Sequence, residues 1–207
     1  MLALFNVEDW LSRGGLAILA LIVFAESGLL IGFFLPGDSL LFIAGFLSSE
    51  AGKHVLPSLP ITAGVAFLAA VIGDQVGFWF GRKVGPSLFD RPESKFFNPK
   101  NVARANTFFQ QRGPVAIVLA RFVPVVRTFT PIVAGVADMK YRTFVVFNIV
   151  GGFIWAVGIT TLGYFMGQVD FVKNNIELAA VAIVAVSLLP VIMEFRRHRK
   201  AAATDQH

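Results

Sequence analysis

The chain has 207 residues, 56% of them hydrophobic and only 15% charged, with a net charge of +5 and a mean hydropathy of +0.70. A soluble domain carries roughly 25% charged residues, so this composition excludes an ordinary soluble protein and indicates a single integral membrane domain. There is no cysteine, which excludes disulfides and thiolate metal sites; the basic excess clusters at the edges of apolar blocks, which is a topology signal rather than a nucleic-acid footprint.

Residues 1–15 are expected to form a short interfacial segment, with Leu4, Phe5, Val7, Trp10 and Leu11 as its apolar contacts. Residues 1–12 contain Glu8 and Asp9 and no Lys or Arg, unlike the positive start of a cleaved signal peptide. Apolar blocks follow at 16–35, 39–49, 61–81, 114–136 and 143–193, the last divided by the polar stretch Gln168 to Asn175. A membrane-crossing helix needs about 20 residues. Segments 16–35, 61–81, 143–167 and 176–193 have that length, whereas 39–49 is short and reads as a re-entrant helix.

Segment 114–136 is long enough, but it contains Arg121, Pro124, Arg127 and Pro131. Proline interrupts the helical hydrogen-bond ladder, and irregular backbone at membrane depth must be buried in protein or face water. A broken, re-entrant hairpin meets that condition, and the same holds at Leu35-Pro36-Gly37-Asp38. The expected loop 82–112 carries Arg82, Lys83, Arg91, Lys95, Lys100, Arg104 and Arg112 against Asp90 and Glu93, and the tail 194–207 carries Arg196, Arg197, Arg199 and Lys200. The excess of basic residues places both in the cytoplasm, and that parity requires 114–136 to return to the side it came from.

The two halves resemble each other. Phe34-Leu35-Pro36 and Ala44-Gly45 match Phe122-Val123-Pro124 and Ala134-Gly135, and Gly77-Phe78-Trp79-Phe80-Gly81 matches Gly163-Tyr164-Phe165-Met166-Gly167, in the same order. The expected fold is therefore an all-α integral membrane protein, with about four transmembrane helices plus two opposed re-entrant hairpins in an inverted repeat.

Four ionisable residues stand inside these blocks: Glu26, Asp38, Arg121 and Arg127. A charge at membrane depth costs roughly 2.5–3.5 kcal/mol even on lenient scales, so the default reading is a transport pathway. A buried carboxyl such as Glu26 or Asp38 can exchange between neutral and charged forms and so carry protons; Asp38 after Pro36-Gly37 also suits the N-cap of the following helix. Arg121 and Arg127 flank Pro124. Guanidinium is permanently charged and grips phosphate bidentately, and a helix start beside it adds free amides. The structural alternative is that the two arginines neutralise Glu26 and Asp38.

Asp74 sits nearer a membrane edge and reads as a packing or hydrogen-bonding residue rather than a proton carrier. Asn148 reads as an amide bonded to unwound backbone. Gly73, Gly77, Gly81 and Gly85 form a small-residue stripe for close helix packing, and Trp79, Trp155 and Tyr164 read as core or interfacial anchors. Enzyme chemistry has little support, because His54, His198 and His207 lie in a loop or the tail and no metal motif is present.

The elements Glu26 with Leu35-Pro36-Gly37-Asp38, Gly73-Asp74 with Gly77-Phe78-Trp79-Phe80-Gly81-Arg82, and Arg121-Phe122-Val123-Pro124-Val125-Val126-Arg127 resemble the DedA family, the bacterial branch of the superfamily sharing the VTT, or SNARE-associated Golgi protein, domain. Gly135, Met139, Phe144, Asn148, Gly151 and Trp155 continue the pattern, which covers residues 16–170. Asp38 stands where many members have glutamate, and Phe78 replaces a common tyrosine. The resemblance implies two facing re-entrant hairpins and proton-motive-force-linked lipid transport in the bacterial inner membrane. In the family, some members return undecaprenyl phosphate to the inner leaflet and others are linked to phospholipid translocation. It also implies that Glu26, Asp38, Arg121 and Arg127 are the functionally required residues.

The expected function is thus translocation of a lipid phosphate, with undecaprenyl phosphate as the leading candidate. Arg121 and Arg127 would bind the phosphate, Glu26 and Asp38 would couple protons, and Pro36, Gly37, Asp74, Pro124 and Asn148 would support them. Membrane lipids and protons are the expected partners, with no nucleic acid, metal or cofactor; a homo-oligomer is compatible with the sequence. Phospholipid movement, proton/cation antiport and a non-transporting scaffold are the alternatives.

Overall fold

The computed structural model describes residues 7–29, 37–52, 54–89, 107, 109 and 112–169. Pro36, residues 1–6, most of the basic stretch, segment 176–193 and the tail lie outside them. Every regular element among the described residues is helical.

Helix α1 (Val7–Gly28) is broken at Gly15, whose φ of 55° lies in the region that glycine tolerates without strain. Helix α2 (Gly37–Leu47) has Gly37 as its first residue. At about 1.5 Å per residue its 11 residues reach only about 16 Å, well short of a bilayer core of about 30 Å.

Helix α3 (Leu59–Phe89) runs through Arg82 and Lys83, where the sequence suggested a loop. Both residues are good helix formers, so the end of the apolar pattern is not the end of the helix. Helix α4 (Val115–Ala120) ends at Arg121, and α5 (Pro124–Val136) begins with Pro124 at its first position. There the missing N–H has no intrahelical role. Pro131 lies within α5 instead of breaking it; it faces the notch at Gly77, where an added Cβ would come within 3.3 Å of the Pro131 ring.

The last described rod is α6 (Tyr141–Gly152), a π-helical turn (Phe153–Val157) and α7 (Gly158–Met166). Two stretches are long and apolar enough to cross a membrane, Leu59–Gly85 and Tyr141–Met166. Their outward faces are apolar: Leu68, Ile72, Val76 and Trp79 on α3, and Val146, Phe153, Leu162 and Phe165 on the last rod, are all exposed. Such continuous apolar surface belongs in lipid.

Packing is arranged crosswise. Helix α2 of the first half packs on α7 of the second, and α5 of the second half packs on α3 of the first. Glycines make both seams. A Cβ on Gly45 would strike the Thr160 carbonyl and one on Gly163 that of Phe42, while Gly81 abuts the Ile132 carbonyl and Gly135 that of Phe78. Gly28 and Gly73 likewise bring α1 onto α3, where a Cβ at Gly28 would lie 2.6 Å from the Gly73 carbonyl oxygen. The glycine stripe of α3 is therefore a packing face for both α1 and α5.

Candidate functional site

The crosswise packing carries the charges inward. Glu26, near the end of α1, is 2% exposed, and Asp74, Arg121 and Asn148 are buried as well. Polar groups inside and apolar groups outside reverse the order of a soluble protein.

Arg127 is the fourth residue of α5. Its Nη1 donates to Asp38 Oδ1 at 2.5 Å and its Nη2 donates to Glu26 Oε1. One guanidinium thus bridges α1 and α2 to α5. The two carboxylates differ: the Asp38 side chain is 33% exposed and that of Glu26 only 2%. Glu26 Oε2 is buried without a hydrogen-bond partner. It lies where the Cβ of any other residue at position 37 would fall, so Gly37 leaves room for the carboxylate. The sequence reading allowed Asp38 to be an N-cap. Since α2 begins at Gly37, Asp38 stands in its first turn and its carboxylate points to Arg127.

Arg121 lies in the turn between α4 and α5 and makes a different set of contacts. Its Nη2 pairs with Asp74 Oδ2 and donates to Asn148 Oδ1. Asn148 Nδ2 in turn donates to the Val71 carbonyl at 3.3 Å. Asp74 is the midpoint of the 31-residue α3 and the counter-charge of Arg121. Asn148 does bond backbone, but that of an unbroken helix. Gly151 gives Arg121 its space, since a Cβ there would lie 3.1 Å from Arg121 Cδ.

Trp155, expected as an anchor, joins the two groups. Its Nε1–H donates to Asp38 Oδ1 at 2.7 Å. Its ring centroid is 4.7 Å from Arg127 Cζ and 5.8 Å from Arg121 Cζ, within cation–π range of both. Only Gly151-Gly152 just upstream hinted at a close approach here. The site thus gathers Glu26, Gly37, Asp38, Asp74, Arg121, Arg127, Asn148 and Trp155. Pro124 opens the helix that carries Arg127. No cluster of metal-binding side chains occurs among the described residues.

Short helices meeting at Pro124, with charges paired inside and apolar side chains outside, define an integral membrane protein. The VTT domain family model matches residues 35–165. The chain is 43% identical to the protein DedA of Escherichia coli K12 over 90% of its length and 84% of that protein's. It is 44% identical to a membrane protein of Mycobacterium tuberculosis H37Rv over 95% and 89% of the two chains. It is also 34% identical to the inner membrane protein YghB of Salmonella typhimurium LT2 over 81% and 75%. The chain belongs to the DedA family of membrane proteins. No solved structure matches it. At Phe78, where the family resemblance led to a tyrosine, the ring is fully buried and stacked on Phe144 with centroids 4.4 Å apart.

Proposed function

We infer that the protein is a proton-motive-force-linked transporter that flips a lipid phosphate between leaflets of the bacterial inner membrane, undecaprenyl phosphate being the first candidate. The observation that carries this reading is the shared guanidinium of Arg127. It is held by two carboxylates, and one carboxylate oxygen has no partner. One arginine cannot neutralise two acids, so the cluster is one charge short of balance and suited to taking a proton. Protonation of Glu26 and Asp38 loosens their hold on Arg127 and frees its fork for a phosphate. The start of α5, with amides that have no intrahelical partner, favours the same anion. Arg121 adds the second positive charge. Loss of the protons on the cytoplasmic side returns Arg127 to the acids and expels the lipid.

In this reading the crosswise packing belongs to an inverted repeat of two opposed re-entrant hairpins among about four membrane-crossing helices, with the C-terminus cytoplasmic. The short reach of α2 and of α4–α5 supports it, as does the Salmonella relative's name as an inner membrane protein. The role is transport, not catalysis.

The test is translocation of undecaprenyl phosphate in liposomes holding the purified protein, with and without a pH gradient. Faster movement with the gradient supports the reading. No movement in either condition from folded protein removes this lipid and turns the same assay to phospholipids. Cation flux without lipid movement favours an antiporter, for which the surplus carboxylate is the supporting feature.

A further inference from the structure

Asp38 Oδ1 is held in a particular way. It accepts from Arg127 Nη1 at 2.5 Å and from Trp155 Nε1 at 2.7 Å, while the Trp155 ring lies under the Arg127 guanidinium. Two donors thus converge on a single anionic oxygen, and one comes from a neutral side chain with no other polar partner. Trp155 is brought there by the π-helical turn Phe153–Val157, inserted between two glycine-bounded α-helical pieces. Wide turns of this kind are rare and occur often at functional sites. This turn leaves Phe153 and Ile154 exposed and buries Trp155.

Resting on the lipid-phosphate reading above, we propose that Trp155 is a third phosphate-binding residue and that the Asp38 carboxylate is a built-in plug, occupying the position that a phosphate-ester oxygen takes in the loaded state. Asp38 is the part-exposed acid of the pair and is free to swing aside once it is neutral. The vacated donors, Arg127 Nη1 and Trp155 Nε1, then meet the incoming oxygen without rearrangement, as preorganised donors do. Glu26, enclosed beside Gly37, stays in place.

Two substitutions are expected to act in opposite directions. Trp155→Phe keeps the ring face and removes the N–H; the dissociation constant for dodecyl phosphate, measured by calorimetry in detergent at neutral pH, rises about tenfold or more, the effect of one hydrogen bond to a charged group. Asp38→Ala removes the plug, so binding tightens and varies less steeply with pH, the remaining dependence coming from Glu26 on Arg127 and from the phosphate itself. A structural tryptophan would not give this pair of opposite effects. Trp155 also reports directly: with Trp10→Phe and Trp79→Phe it is the remaining tryptophan of three, and its emission changes on adding dodecyl phosphate. Inorganic phosphate producing the same change at similar concentration would assign the site to free phosphate rather than a lipid headgroup, against the lipid reading but with the role of Trp155 intact. Binding with unchanged Trp155 emission, or with Trp155→Phe within twofold of the parent, overturns the inference alone. No binding of either phosphate by the unaltered protein removes the functional reading and this inference with it.

Discussion

Arg121 and Arg127 are the same residue, six positions apart and on either side of Pro124, yet they sit in opposite electrostatic situations. Arg121 has one acid, Asp74, and one amide, Asn148, and every partner is itself satisfied. Arg127 has two acids, one of them part-exposed and the other with an unpaired oxygen. The first group is closed and charge-balanced, whereas the second is open and carries a surplus negative charge. A closed buried pair holds structure, and breaking it leaves a stranded charge. An open group can exchange partners. On the proposed mechanism the comparison divides the labour within one site, with Arg121 as a fixed post and Arg127 as the moving clamp.

The largest expected effect comes from the open side. Arg127→Ala abolishes lipid movement in liposomes while folded protein stays in the membrane, and wild-type transport by this variant would end the clamp mechanism. Arg127→Lys loses at least about tenfold in rate, because a point charge cannot reproduce the bidentate fork. Next comes the closed side. Arg121→Ala lowers thermal stability in detergent by about 3–5 kcal/mol, since Asp74 is left buried without a counter-charge. Adding Asp74→Leu recovers most of that stability. Transport should stay impaired in the double variant if Arg121 also supports the phosphate; full recovery of transport would reduce Arg121 to scaffold and sharpen the contrast.

Smaller effects belong to the seams that hold the two groups together. Gly81→Ala forces a methyl against the Ile132 carbonyl of α5 and is expected to cost about 1–3 kcal/mol as overpacking. Gly77→Ala meets only the Pro131 ring at 3.3 Å, and its unfolding midpoint should shift least. The reverse order would mean that the α3–α5 seam is placed differently from this structure.

Much of the site was legible beforehand because charge in an apolar block is conspicuous. Glu26, Asp38, Arg121 and Arg127 stand out by energy alone, and Pro124 marks the break between the arginines. Trp155 was not legible, because an aromatic residue in an apolar helix looks the same whether it packs or donates a hydrogen bond. Only the π-helical turn and the neighbouring Asp38 make it part of the site. The length of α3 was not legible for a related reason: apolar content stops at Gly81, but backbone hydrogen bonding continues to Phe89.

By itself the sequence determined that the chain is an apolar, helical membrane protein, that a helix begins anew at Pro124, and which ionisable groups lie inside apolar blocks, because hydropathy, proline chemistry and the free energy of burying a charge are local properties. Which acid meets which arginine was decided by tertiary structure. Glycine seams bring α1 and α5 against α3 and set α2 on α7, and those close backbone approaches give Asp74 to Arg121 and leave Glu26, Asp38 and Trp155 to Arg127.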